Sequence, residues 1–201
     1  PRDQYAIGWI DARLGQEVYL QAYDATSGLV GSNTLISIAN ASAINWNLHF
    51  AVNASGDLLA VWDALVSESS ILARRFTTAF APAALPSAAN GSATGQRWKG
   101  GAGFSSTGAY AVCWSEFQNQ HSDIAFQLFN SAGVPQLTEM LLNDDYRGAP
   151  KSDPDILATS DGSNLIVFAS KSSDQGDIVA SSISNFGSGQ ISNTVVNQDV
   201  S

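Results

Sequence analysis

The chain has 201 residues, 44% of them hydrophobic, and a net charge of −9 from 9 Lys and Arg against 18 Asp and Glu. That length can bury a sizeable core, while the acidic balance and scattered basic residues exclude a nucleic-acid surface, which needs clustered Lys and Arg. No apolar run approaches the roughly 20 residues of a membrane-crossing helix, and a single cysteine, Cys113, excludes an internal disulfide framework.

The first apolar segment, Tyr5-Ala6-Ile7-Gly8-Trp9, ends in a bulky aromatic. A polar stretch separates it from a second strand-like run, Glu17 to Tyr23. A turn at Gly28 leads to a third run, 34–37, and a fourth, 48–52, runs into a small-residue turn at Ser55-Gly56. The order then restarts with Leu58 to Trp62 and Ser70 to Phe76. Pro82 and Pro86 stand in an Ala-rich stretch where the third run should follow, so a short or irregular outer strand is expected there. Residues 102–105 lead to Thr107-Gly108. A third copy follows with Tyr110 to Trp114, Asp123 to Phe129, the turn at Gly133, then 139–142 and 155–158. The fourth comprises Leu165 to Phe168, Asp177 to Ile183, Gly187 and 193–196.

The pitch is constant: 53 residues from Trp9 to Trp62, 52 to Trp114 and 54 to Phe168. Such regularity is an internal repeat. Four short strands per roughly 50 residues, joined by Gly, Asn and Ser turns, fit one blade of a β-propeller. A four-stranded blade cannot cover its own apolar faces, and neighbouring blades cover them for it. The strands agree, being nearly continuous apolar runs as expected where both faces are buried. The fold class is therefore all-β: a propeller of about four blades, in one domain over 1–201, with repeats near 3–55, 56–107, 108–161 and 162–201. Trp9, Trp62, Trp114 and Phe168 are expected at equivalent, buried positions. Cys113 reads as a small buried hydrophobe.

Aligned on Gly56, Gly108 and Gly162, the first copy begins at the turn, with Asp3-Gln4 where Gly56-Asp57 stands. The counterpart of residues 48–52 is missing ahead of it. The ring is expected to be incomplete or open, with the chain a segment of a longer protein or a processed product. Tyr5 to Trp9 would then present an unpaired edge that invites pairing with another chain or with a second copy.

The third copy shows the repeat most clearly, from Gly108 through Trp114, Asp123-Ile124, Gln127 and Phe129 to Gly133-Val134-Pro135. This order resembles the blade repeats of large secreted and surface-attached bacterial proteins, including adhesin-like chains. The resemblance covers essentially the whole sequence and implies an extracellular or cell-surface propeller used for attachment, ligand binding or assembly. It implies a glycan or a cell-surface protein as partner and carries over no catalytic residue. Other propeller signatures fit less well. Trp62-Asp63 is the only Trp-Asp dipeptide, the Kelch-type Gly doublet appears only at Gly100-Gly101, and the Ser-x-Asp-x-Gly-x-Thr-Trp box of sialidases is absent.

Trp46 and Trp98 lie outside the strand-end position, near the connections between blades, on the face where propeller ligands commonly sit. With Asn45, Asn47 and Arg97 beside them they are ligand-binding candidates, and packing at the blade edge is the competing assignment. Asp145, Tyr146 and Arg147 in the third connection join that set. Asp144, Asp153 and Asp155 are calcium candidates, although Asp is equally an ordinary turn former. Paired acids there could also serve glycosidic acid/base chemistry. His49 and His121 are not at metal-ligand spacing, and no nucleophile elbow, phosphate loop or dinucleotide fingerprint occurs. The sequence thus favours a non-catalytic extracellular binding, adhesion or assembly module. The alternatives are a structural segment completed by another chain, or a fragment of a propeller glycoside hydrolase or lyase.

Overall fold

The computed structural model describes residues 4–13, 15–38, 43–65, 67–91, 94–142, 150–158, 164–170, 177–184 and 190–196. Among them there is no helix, and fifteen strands form four antiparallel meanders. The first sheet holds β1 (Gln4–Asp11), β2 (Glu17–Asp24) and β3 (Gly28–Leu35). The second holds β4 (Ile44–Val52), β5 (Leu58–Leu65), β6 (Ser69–Phe76) and β7 (Ser87–Ala88). The third holds β8 (Gln96–Phe104), β9 (Tyr110–Gln118), β10 (His121–Phe129) and β11 (Met140–Leu142). The fourth holds β12 (Lys151–Ala158), β13 (Asn164–Ser170), β14 (Asp177–Ser184) and β15 (Gln190–Val195). Each sheet is one repeat, paired in chain order. The outer strand β7 is two residues long, as the prolines imply, and Pro82 makes only an isolated bridge to Phe76.

The turns follow directly from the sequence. Gly56, Gly108 and Gly133 have φ of +89°, +79° and +81°, a conformation that glycine adopts without steric penalty. Each donates its N–H to the carbonyl three residues earlier, on Asn53, Ser105 and Asn130.

Blades pack face to face. Every interior interface joins one blade's face bearing the strand-end aromatic (here the head face) to the opposite face of the blade before it (the tail face). Between the first and second blades, Trp62, Leu58, Ala60 and Phe76 meet Val18, Leu20 and Ile36. Between the second and third, Trp114, Val112, Tyr110 and Phe129 meet Leu59, Val61, Ile71 and Ala73. Between the third and fourth, Ala111, Ile124 and Phe126 meet Ile156, Val179 and Ile183. The inner strands β4, β8 and β12 lie side by side. Gly100 lets β8 press against β5 and β6 of the preceding blade, since a Cβ there would stand 2.9 Å from Val61 and 3.0 Å from Ile71.

Three expectations need correction. The inner strands are longer than the apolar runs suggested, starting at Ile44, Gln96 and Lys151, because each carries a bulge that a period-two pattern hides. Trp46 and Trp98 therefore sit inside inner strands, not in the connections. Trp9 is only half-buried, whereas Trp62 and Trp114 are fully buried, because no blade covers the first head face among the described residues. The side chain of Phe168 lies outside the described part. The first sheet has three strands, and β1 pairs with β2 alone among the described residues.

Candidate functional site

The three bulges occur at one repeat position. Register shifts fall between Trp46 and His49, between Trp98 and Gly101, and between Ser152 and Asp155. Each contains a non-glycine residue at positive φ: Asn47 at 51°, Lys99 at 58° and Asp153 at 56°. Such conformations cost free energy for residues with a Cβ and persist where surrounding contacts hold them. Their recurrence in three adjacent inner strands marks the start of these strands as a built surface.

What holds the second bulge is Asp63, at the end of β5 and fully buried. Its carboxylate accepts the backbone N–H of Lys99 at 2.8 Å and of Gly100 at 3.1 Å, and the Asn47 amide at 2.6 Å. Burial raises the Asp63 pKa, and these three donors act in the opposite direction. One carboxylate thus ties the bulge of the second blade to that of the third. Beyond it, Lys99 forms an ion pair with Asp153 of the fourth blade, and His49 Nε2 lies 3.6 Å from Asp155.

The residue before each tryptophan or serine of the bulge faces inward and clasps the preceding blade. Asn45 donates to the Gln16 carbonyl at 2.5 Å and accepts the Trp62 indole N–H at 3.0 Å. Arg97 donates to the Ser69 carbonyl at 3.1 Å and to Glu116 at 2.9 Å. Lys151 donates to Asp123 at 3.2 Å, and its carbonyl accepts Ser122 Oγ at 2.6 Å. Ser69 Oγ makes the same bond to the Arg97 carbonyl at 2.5 Å. Asn45 and Arg97 are therefore buried clasps, placed behind the surface that the sequence suggested for them.

Trp46 and Trp98 are half-buried and line a common groove of about 750 Å³. Its walls include Leu65 and Phe117, which are 37% and 40% exposed, and polar groups of Glu68 and Gln118. Of the sequence candidates, the structure brings Trp46, Trp98, Arg97 and Asn47 to one region. Asp153 and Asp155 lie on the next inner strand, both exposed, and among the described residues no three carboxylate, histidine or cysteine side chains converge as a metal site would require. Asp144, Asp145, Tyr146 and Arg147 lie outside the described residues. Sequence reasoning missed Asp63, whose signal was the Trp62-Asp63 dipeptide, and Glu116, which stood unremarked two residues after Trp114.

Glu116 lies in the buried wall behind the groove, its side chain 5% exposed. Burial and the nearby Glu139 push its pKa up to about 7, against the pull of Arg97. Gly95 leaves room for it: a Cβ there would stand 3.1 Å from Glu116 Oε1.

No family model matches the chain, and no curated protein matches its sequence. Solved structures do share its fold. A Hadza microbial sialidase, Hz136, is similar with a TM-score of 0.59 and 10% identity, over 93% of this chain and 46% of that one. An endo-arabinase from Bacteroides thetaiotaomicron gives 0.56 and 12%, over 94% of this chain and 73% of that one. The α-L-arabinofuranosidase Arb93A from Fusarium graminearum gives 0.54 and 8%, over 96% and 71%. This chain therefore spans about half the length of the sialidase and under three-quarters of the other two. What they share with it is the propeller-like fold. In these cases it is carried by enzymes of carbohydrate chemistry, not by surface adhesins.

Proposed function

We propose that the chain is a glycan-binding segment of an extracellular propeller of the glycoside hydrolase type, holding sugar rings between Trp46 and Trp98. The observation that carries this reading is the groove itself. Two tryptophans on neighbouring inner strands flank a cavity of about 750 Å³, within the range of small-molecule sites. Their large flat faces offer apolar area at small entropic cost. The exposed polar groups beside them, Glu68 and Gln118 in the walls with Lys99 and Asp153 on the bulges, can serve hydroxyl groups. The likeness to propeller glycoside hydrolases supports the same reading.

Hydrolysis is the second reading, and the exposed acids Asp153 and Asp155 favour it. A glycosidase needs two carboxyl groups flanking the scissile bond. Asp63 is committed to three N–H donors and Glu116 to Arg97, so the exposed Asp153 and Asp155 are the pair this reading tests.

Tryptophan fluorescence and calorimetry with arabino-oligosaccharides and sialyllactose test both readings. Binding that falls at least about tenfold, or 1.4 kcal/mol, in Trp46→Ala and in Trp98→Ala is the expected result. Absence of binding across the panel overturns the proposal. Release of reducing sugar, lost in Asp153→Asn or Asp155→Asn, would add catalysis to it.

A further inference from the structure

The groove between Trp46 and Trp98 has a sign of charge. Its walls come from the second and third blades: β4, the turn from β5 to β6, the start of β8, and the hairpin from β9 to β10. Glu68 stands exposed in the β5–β6 turn and lines the groove. In the β9–β10 hairpin, Asn119 and Gln120 have φ of +52° and +67°. Two successive left-handed residues make a tight two-residue turn, which presents Gln118 and Asn119 to the groove. The Gln118 amide nitrogen donates to Thr94 Oγ1 at 2.8 Å, which fixes that amide and leaves its oxygen as an acceptor.

The cation in the lining is Arg97, and its charge is spent behind the wall. The side chain is 0% exposed. Its guanidinium donates to the carbonyls of Ser69 and Thr94 and to Glu116. Glu139 lies beside Glu116, so two carboxylates answer this one guanidinium. Lys99, next to Trp98 in the chain, is paired with Asp153. Among the described residues, the charge left at the groove is therefore negative, and Glu68 is the exposed group that carries it.

We infer that Glu68 sets the specificity of this groove, which takes uncharged oligosaccharides and rejects those bearing a carboxylate, the sialic and uronic acids. The inference rests on the glycan-binding reading of the groove and names its ligand class. The chemistry is complementary in two ways. A hydroxyl can donate to the Glu68 carboxylate and to the Gln118 oxygen, whereas an ionised carboxylate only accepts. The charges also repel. At about 6 Å, roughly the width of a sugar ring, a like charge costs a factor of about 3 in affinity in bulk water and about 100 at the dielectric typical of a protein surface.

Calorimetry with arabinotriose, sialyllactose and trigalacturonate tests this on the 201-residue chain and on Glu68→Lys and Glu68→Gln. Glu68 is exposed in a turn, and circular dichroism verifies that both variants fold. The wild-type chain is expected to bind arabinotriose at least tenfold more tightly than either anionic sugar. Glu68→Lys should shift that ratio at least tenfold toward the anionic sugars, and Glu68→Gln should shift it by less in the same direction. Salt supplies a readout that a change of shape would not move. Between about 10 and 150 mM the screening length falls from about 30 to about 8 Å, so wild-type affinity for the anionic sugars should rise while that for arabinotriose stays level. Wild-type affinity for an anionic sugar equal to that for arabinotriose overturns the inference and leaves the groove a glycan site. So does a ratio that Glu68→Lys leaves unchanged. Absence of binding to all three sugars, in wild type and in both variants, overturns the glycan-binding reading and this inference with it.

Discussion

Trp9, Trp62 and Trp114 occupy one position in three successive blades, yet their environments differ completely. Trp62 and Trp114 are 0% exposed, while Trp9 is half-buried. The local sequence is alike in all three: a short apolar strand closed by tryptophan. What differs is the presence of a preceding blade. In this architecture burial belongs to the interface and not to the strand, so one residue type at one register position is core in two blades and surface in the first. The same contrast holds two residues further on. Asp11 pairs with Arg13 at the rim of the first blade, and hydrogen bonds from Arg13 hold its pKa down to about 2. Its counterpart Glu116 is enclosed beside Gly95, Arg97 and Glu139, and burial pushes its pKa up to about 7.

The largest test of this contrast is truncation of the aromatics. Trp62→Ala and Trp114→Ala should each destabilise the fold by about 3–5 kcal/mol, through lost burial and an unfilled cavity. Trp9→Ala, measured on the monomer at low concentration, should cost no more than about 1.5 kcal/mol. Urea denaturation followed by circular dichroism gives all three values. Equal losses at the three positions would show that burial is set within each blade after all.

The second test is pH. Glu116 has a folded-state pKa near 7, above its ordinary value of 4.5. Between those values the folded protein retains a proton that the unfolded chain has lost, so its contribution to stability falls as pH rises from about 4.5 to about 7 and is level above. Glu116→Gln should remove that slope, while Asp11→Asn should leave it intact. Denaturant midpoints measured from pH 5 to pH 8 decide the matter. A slope that survives Glu116→Gln would assign it to another group.

The repeat was legible because its signals are local. The tryptophans, the turn glycines Gly56, Gly108 and Gly133 and the prolines of the short β7 each act through their own backbone or through one packing position. The three-stranded first sheet was legible from alignment of those turns. The bulges were not. A left-handed Asn47, Lys99 or Asp153 leaves no composition signal, because it is held by partners far along the chain, such as Asp63 on the Lys99 and Gly100 amides. For the same reason Asn45 and Arg97 looked like surface ligands. Their clasps to Gln16 and Ser69 span 29 and 28 residues, and only the stacking of blades brings them together. Trp46 and Trp98 were found, though placed near the connections between blades and not within the inner strands, since a bulge breaks the alternation that would have marked a longer strand.

The smallest test compares the second and third blades, whose buried tryptophans differ in a single hydrogen bond. The Trp62 indole N–H donates to Asn45 Oδ1 at 3.0 Å. In the third blade the register position of Asn45 is held by Arg97, whose guanidinium only donates. The Trp114 indole N–H has no partner among the described residues, and neither has Arg97 Nε. Arg97 at that position gains Glu116 and the Ser69 carbonyl in exchange. Replacing each tryptophan with phenylalanine removes similar apolar volume at both sites, so the difference between the two variants isolates the polar contribution. At Trp62 the change breaks a bond and leaves the Asn45 oxygen buried and unpaired, which costs about 1–3 kcal/mol beyond the lost volume. At Trp114 it removes a buried donor that was already unpaired, a change that offsets part of the lost volume. Trp62→Phe should therefore be more destabilising than Trp114→Phe by about 1–2 kcal/mol in the same denaturation assay. In the Asn45→Ala background that gap should close, because the acceptor is gone before the indole is. A gap that persists there would mean that the two blades differ in packing, not in the clasp.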